Sequence, residues 1–147
     1  MRQPGASTMP PEATGGITVA ATVDRLGDVL DLIHDELCRH KCPIAIRNQL
    51  DLVIEELFVN VCSYAYEEPG ECRVEYVYSP DPRTITVSIE DRGIPFDPLA
   101  HADPDKPSSV QEAPIGGLGI FMAKRISDSI AYRRDGDTNI TTFTKGW

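Results

Sequence analysis

The chain has 147 residues, of which 41% are hydrophobic and 25% charged, which suits one globular domain with a single core. Its formal net charge of -9 at pH 7 would repel a phosphate backbone, so we expect a protein partner and no nucleic acid. The sequence shows neither an apolar run of the roughly 20 residues that a membrane span requires nor a secretory signal, so we expect a cytoplasmic protein without a membrane partner.

The first segment differs in composition from the rest. Residues 1–15 are rich in Pro, Gly, Ser and Thr and carry almost no large apolar side chains, so we predict a disordered tail followed by one domain over residues 16–147. The stretch from Ile17 to Thr22 has the composition of a β-strand. Asp24 is predicted to cap a helix in which apolar residues recur at helical spacing as far as residues 39–41.

A cluster of histidines and cysteines lies at the end of this helix. His34, Cys38, His40 and Cys42 carry the imidazole and thiolate groups that zinc accepts. Their spacing fits no standard zinc motif, and only His34 and Cys38 would share a helical face. We therefore interpret the cluster as ordinary helix-end residues and the cysteines as reduced thiols.

The second helix carries the first pair of candidate site residues. Pro43 is predicted to start this helix, which ends before Pro69. Glu56 and Asn60 are four residues apart and therefore share one of its faces. The amide oxygen of Asn60 suits a hard cation such as Mg²⁺, and Glu56 can accept a proton from an attacking hydroxyl. The alternative is that both side chains solvate the helix surface, and the neighbouring Glu55, about 100° around the helix, is a rival carboxylate.

A predicted hairpin leads to the second motif. Cys72 to Tyr78 and Thr84 to Ile89 alternate polar and apolar residues and are predicted to pair as two strands. Asp91 and Gly93 follow the second strand. An ionised carboxylate accepts hydrogen bonds without donating, so Asp91 in a pocket would suit the exocyclic amine of adenine, and Gly93 would let the backbone approach the base. The alternative is an ordinary Asp-x-Gly turn, which is frequent, so the motif in isolation is a weak signal.

The third motif opens a short helix after a long loop. Residues 97–115 are polar and interrupted by prolines, so they are either disordered or functional. Gly117 and Gly119 lie at the start of a helix predicted over residues 118–126, where free N–H groups attract phosphate oxygens. The segment matches neither a Walker A loop nor a complete Rossmann motif and could also be a flexible hinge. A final hairpin is predicted over residues 129–145.

This order of elements predicts the fold class. One strand, two helices, two strands, a long loop, a helix and two strands indicate an α+β fold. We expect a two-layer sandwich, with a mixed sheet and the helices on one face.

The three motifs, taken in order, resemble a known family. Glu-x-x-x-Asn, Asp-x-Gly and Gly-Gly-Leu-Gly, with a proline-broken loop before the last, resemble the Bergerat ATP-binding fold of the GHKL superfamily. That superfamily includes the gyrase, heat-shock, histidine-kinase and mismatch-repair ATPases, and the resemblance covers about residues 17–145. The short domain and the segments EELFVNVCSYAY and DRGIPFDP look most like the anti-sigma factor serine/threonine kinases of bacterial partner-switching systems.

The resemblance implies a role for each candidate residue. Glu56 would be the general base, Asn60 the Mg²⁺ ligand and Asp91 the residue that reads adenine, with the Gly93 backbone beside the base. Residues 97–115 would form the ATP lid. The remaining nucleotide contacts would come from Gly117, Leu118, Gly119 and, within a residue of alignment, Thr141. One departure is Pro95, which stands where the wider superfamily has a second glycine.

The resemblance also implies a function. It predicts a regulatory kinase that uses Mg²⁺ and ATP to phosphorylate a serine or threonine of a small protein antagonist. A sigma factor is a second candidate partner, and a homodimer is a candidate assembly. The alternatives are a non-catalytic, nucleotide-responsive protein that sequesters a sigma factor or another regulator, and the catalytic half of a histidine kinase. The helix that contains His34 is too short for a dimerising phosphoacceptor hairpin, so the histidine-kinase alternative is disfavoured.

Overall fold

The computed structural model describes residues 12–65, 70–100 and 117–147. In this part of the chain, a five-stranded sheet packs against α-helices in an α+β fold. The strands and α-helices are β1 (Ala13–Ala20), α1 (Leu26–Arg39), α2 (Ile44–Asn60), β2 (Glu71–Pro80), β3 (Arg83–Asp91), α3 (Gly117–Ile126), β4 (Ser129–Asp135) and β5 (Thr138–Gly146). None of the helices in these ranges combines the length and the apolar composition that a bilayer span requires.

The sheet has the strand order β1-β2-β3-β5-β4. The predicted α+β sandwich is confirmed, but each of the four pairings is antiparallel, whereas we expected a mixed sheet. The reason is the position of the last strand. The connection through α3 brings β4 back in the same direction as β3, but β5 lies between them and pairs antiparallel with both.

One hydrophobic core joins the helices to one face of the sheet. Side chains of all three helices belong to the same buried cluster as alternate residues of the strands. In β3 the buried positions recur with period two, at Ile85, Val87, Ile89 and Asp91, so Asp91 ends an otherwise apolar series that faces the helices. The opposite face is polar, and Ser88 there pairs with a threonine hydroxyl of β5 at 3.1 Å.

Two boundaries differ from prediction. β1 begins at Ala13, so residues 13–15 belong to the sheet and not to the tail, because strand pairing with β2 orders a segment that has little to bury by itself. Residues 1–11 lie outside the described residues. Asp24 does not cap α1, because a 3-10 turn over Val23–Arg25 precedes the helix.

The end of α1 is attached to the sheet by a buried carboxylate. Glu36 accepts a hydrogen bond from the Tyr76 hydroxyl at 2.6 Å and contacts Nε2 of His40 at 2.7 Å. Burial would raise the pKa of Glu36, but these two hydrogen bonds and the nearby positive charges outweigh it and lower the pKa. His34 pairs instead with Asp51 of α2, so the two imidazoles of the cluster point to different partners.

Candidate functional site

Asp91 is buried at the end of β3, on the side of the sheet that the helices cover. Its Oδ1 accepts hydrogen bonds from the Gly93 backbone N–H at 2.8 Å and from Nδ2 of Asn139 at 3.0 Å. Both bonds that the structure records for this carboxylate go to the same oxygen. The geometry therefore leaves Oδ2 to accept a hydrogen bond from a bound molecule.

Asn139 lies directly opposite Asp91 in the pairing of β3 with β5, and it is the residue that the sequence reasoning missed. Besides Asp91, its Nδ2 donates to the carbonyl of Ile94 at 2.8 Å. Its Oδ1 accepts from the Tyr132 hydroxyl at 2.5 Å and from Nη1 of Arg134 at 3.1 Å. Asn139 thus fixes the orientation of the Asp91 carboxylate and of the turn that follows it.

We expect Asn139→Ala to lower the free energy of unfolding by about 2–4 kcal/mol, because it removes a hydrogen-bond partner from the buried Asp91 carboxylate and from three part-buried polar groups. Urea denaturation of both proteins measures the difference. Tyr132→Phe is the matched control, since it removes only one donor to the same oxygen and should cost about 1 kcal/mol. Equal losses of unfolding free energy in the two variants would mean that Asn139 contributes no more to stability than its one hydrogen bond from Tyr132.

The turn after β3 is also fixed from the edge of the sheet. The Gly93 carbonyl accepts a hydrogen bond from Nη1 of Arg134, on β4, at 2.8 Å. The same guanidinium bonds to Asn139, so Arg134 connects the two. Gly93 therefore contributes both of its backbone polar groups to the arrangement around Asp91.

A narrow cavity lies beside Asp91, between α2 and the sheet. Three residues singled out from the sequence, Asn60, Asp91 and Thr141, meet in its lining. Its volume is about 20 Å³, close to what one water molecule needs, so a larger ligand requires its walls to separate. The cavity is lined by Leu57, Asn60, Val61, Ile89, Asp91, Phe96, Pro98, Asn139 and Thr141. Mostly apolar walls with a few polar groups are typical of sites for flat, partly polar ligands.

Asn60 is the last residue of α2 and is 8% exposed. The structure records no hydrogen bond from its carboxamide to any described residue. A five-residue π-helix, Val61–Ala65, follows it directly, and such interruptions of a helix are frequent at functional sites. The amide oxygen is therefore available to a ligand in the cavity.

Glu56 lies one helical turn before Asn60 and is half-buried. A methyl group placed on Gly119 would overlap its carboxylate, so this carboxylate lies against the first turn of α3. Burial and the neighbouring charge of Glu55 raise the pKa of Glu56. A carboxylate with a raised pKa is better matched to exchange a proton near neutral pH.

The structure describes the surroundings of the other predicted site residues only in part. Gly117 and Leu118 are the first two residues of α3, but the surroundings of their side-chain positions lie outside the described part of the chain. Thr141 faces the cavity two residues beyond Asn139 and is paired with Ile89 instead of Asp91. Of the loop predicted over residues 97–115, only residues 97–100 are described.

The comparisons with known proteins agree on one family. The sequence model of the histidine kinase-like ATPase domain matches residues 19–145. The serine/threonine-protein kinase BtrW of Bordetella bronchiseptica is 23% identical over 129 residues, which cover 87% of this chain and 91% of that protein. The serine-protein kinase RsbW of Halalkalibacterium halodurans is 27% identical over 125 residues, covering 81% of this chain and 66% of that protein.

A solved structure shares the fold. The crystal structure of the RsbU and RsbW domains of a Mycobacterium tuberculosis protein superposes with a TM-score of 0.65 at 16% identity. The match covers 91% of this chain, which spans 32% of that longer chain. At this identity, the likeness concerns the fold alone.

Proposed function

Because the chain belongs to the family of histidine kinase-like ATPase domains, we propose that it transfers the terminal phosphoryl group of Mg²⁺-bound ATP to a serine or threonine of a small protein antagonist. The observation that carries the proposal is the placement of Asp91, Asn60 and Glu56 around the contact of α2 with β3 and α3. Among the described residues, they offer a carboxylate oxygen and an amide oxygen that accept no recorded hydrogen bond, together with a proton acceptor. The family match supports the nucleotide, and the kinase names of the two relatives support the acceptor class.

Adenine would be read by Asp91. Oδ2 is the acceptor that the protein leaves open, and the exocyclic amine of adenine is a donor. Guanine presents a carbonyl oxygen at the same position, which would meet the carboxylate as a second acceptor. The Gly93 backbone and Thr141 would lie along the base, and the cavity walls would cover its faces.

The residues present fit a magnesium ion. Asn60 offers a buried neutral oxygen for which the described residues provide no hydrogen-bond partner, and Mg²⁺ typically takes one or two protein oxygens together with phosphate oxygens and water. When bound, the ion would neutralise charge on the phosphates during transfer. Gly117, Leu118 and Gly119, at the start of α3, would place their backbone N–H groups towards those phosphates.

Glu56 would act as the general base. The hydroxyl oxygen of the acceptor bonds to the γ-phosphorus, the bond from that phosphorus to the ADP oxygen breaks, and the hydroxyl proton passes to the Glu56 carboxylate. The position of Glu56 against α3 would hold the carboxylate close to the phosphate-binding turn. Residues 97–115 would close over the nucleotide, beginning at Pro98, which already lines the cavity.

We expect Gly119→Ala to lower the rate of transfer about tenfold, because the new methyl group displaces the Glu56 carboxylate. The same change should raise the free energy of unfolding by about 0.5–1 kcal/mol, since alanine is the better helix former. Gly27→Ala in α1 is the matched control, because nothing lies within 4 Å of its new methyl group and it should leave transfer unchanged. Wild-type activity in Gly119→Ala would mean that the position of the Glu56 carboxylate does not affect the reaction.

The direct test begins with a pull-down from the host, with and without Mg²⁺ and ATP, to identify the antagonist and any bound sigma factor. The purified chain is then mixed with each captured protein and radiolabelled ATP, and the phosphorylated residue is identified. We expect label on a serine or threonine of one small cytoplasmic protein. If the chain binds ATP and a regulator but labels none of them, the sequestering alternative replaces the kinase. Light scattering of the same sample tests the candidate homodimer.

A further inference from the structure

A second concave surface lies at the other end of the sheet, where α1 ends and β2 turns into β3. We call it the basic concavity, and it has a volume of about 550 Å³. Its lining includes Arg39, His40, Lys41, Tyr78, Asp81 and Arg83. The eight steps of β3 from Arg83 to Asp91 separate it from the proposed ATP site by about 25 Å.

The charge of the basic concavity is opposite to that of the whole chain. Its lining has three permanent cations and one carboxylate, Asp81, in a protein of net charge -9. No described residue forms an ion pair with Lys41 or Arg83. Arg39 contacts Glu36 only at 3.4 Å, and its side chain is 64% exposed. These cations are therefore available to an external anion.

The C-terminus of α1 explains only some of the cations in the basic concavity. Cations are favoured near a helix C-terminus, which accounts for Arg39 and His40 at the end of α1. It does not account for Arg83, which begins β3. Nor does it account for the backbone of Lys41.

Lys41 has a φ of 56°, in the left-handed region that favours glycine. The N–H of Lys41 bonds to the Cys38 carbonyl, and the N–H of Cys42 bonds to the Leu37 carbonyl at 3.1 Å. This is the Schellman arrangement, in which glycine usually occupies the position of Lys41. A lysine in this strained position, whose ammonium group pairs with none of the described carboxylates, indicates that the side chain contributes to binding.

The wall of the basic concavity is held in place by aromatic stacking. The His40 ring stacks on the Tyr78 ring, with the two centroids 3.6 Å apart. The centroids of the Tyr78 and Trp147 rings are 5.9 Å apart. Glu36 holds the other side of His40. A ligand would therefore meet a surface that is already ordered, which reduces the entropy lost on binding.

We propose that the basic concavity binds a carboxylate-rich segment of a protein partner, at the end of the sheet opposite to the ATP site. Guanidinium groups pair with carboxylates through two parallel hydrogen bonds, and the lining offers two guanidinium groups and one lysine. The acidic remainder of the surface would repel such a segment and direct it to this position. The proposal does not depend on kinase activity.

The test uses a fluorescently labelled hexaglutamate peptide, with saturating Mg²⁺ and ATP present so that the nucleotide site is filled. We expect saturable binding that weakens as salt is added. Lys41→Gly should weaken it about fivefold, while the thermal midpoint stays equal or rises because glycine relieves the backbone strain. Arg133→Gln, which removes an exposed cation of β4, should leave the affinity unchanged.

Each contrary result overturns the proposal. Wild-type affinity in Lys41→Gly would mean that the concavity is not the site. An equal loss in Arg133→Gln would mean that the peptide responds only to overall charge. Displacement by millimolar inorganic phosphate, with no preference for the peptide, would assign the site to a small anion in place of a protein segment.

Discussion

Glu56→Gln is expected to reduce phosphoryl transfer by about 10²- to 10⁴-fold while Mg²⁺–ATP affinity stays unchanged. The amide has the shape of the carboxylate and can occupy the same position against Gly119, but it cannot take the hydroxyl proton. Phosphate incorporation into the antagonist measures the first effect, and equilibrium nucleotide binding measures the second. This one variant would therefore bind Mg²⁺–ATP normally but transfer phosphate poorly.

The raised pKa of Glu56 adds two expectations about pH. Only the ionised carboxylate accepts a proton, so wild-type transfer should increase as pH rises through this pKa, and Glu56→Gln should lose that dependence. Folding raises the pKa of this acid and therefore disfavours its charged form at neutral pH, so the variant should be no less stable than the wild type.

Glu55→Gln is the matched control for this variant, because Glu55 is exposed and adjacent in sequence. It should retain wild-type transfer. If both variants transfer phosphate at the wild-type rate, neither carboxylate is the base and positioning alone carries the step. If only Glu55→Gln fails, the assignment of the base moves to Glu55.

Asp91→Asn is expected to weaken ATP binding by about 30- to 100-fold, equivalent to about 2–3 kcal/mol. The structure fixes which way the new amide must turn. Its oxygen has to accept the bonds from the Gly93 N–H and from Asn139, so its NH₂ group points into the cavity. That donor would face the amine donor of adenine and would be compatible with the carbonyl of guanine.

Competition by GTP against a labelled ATP analogue measures this change, and the preference for adenine should shrink or reverse. Asp135→Asn removes one carboxylate from the exposed end of β4 and serves as a charge-matched control. It should leave both the affinity and the preference unaltered. An unchanged preference in Asp91→Asn would mean that the base is read by another group.

Much of the fold could be predicted from periodicity and turn residues. The alternation in β2 and β3 and the apolar spacing in α1 and α2 depend on neighbours in sequence, so the elements are visible in the sequence alone. Strand pairing is not visible in this way. Nothing local indicates that β5 enters between β3 and β4, and this is why we expected a mixed sheet.

The sequence likewise predicted the site residues that lie in local motifs but not the one that depends on strand pairing. Asn60 and Asp91 are recognisable because each lies in a motif with characteristic spacing, and the structure brings both to one cavity. Asn139 became apparent only from the register that sets it opposite Asp91. One clue was available: Asn139, Thr141 and Phe143 alternate along a predicted strand, so a polar residue had to lie on the core side.

The narrowness of the cavity beside Asp91 would couple the binding of nucleotide and partner under the proposed function. At the proposed adenine site, a base would enter only those molecules in which Phe96 and Pro98 have moved away from Asp91 and Asn60, so the apparent dissociation constant would be the intrinsic one divided by the population of that conformer. A conformer present at about 1% would weaken the observed affinity about a hundredfold. A regulator that favours it would therefore tighten nucleotide binding without touching the nucleotide, and by thermodynamic reciprocity the nucleotide would tighten the regulator to the same degree.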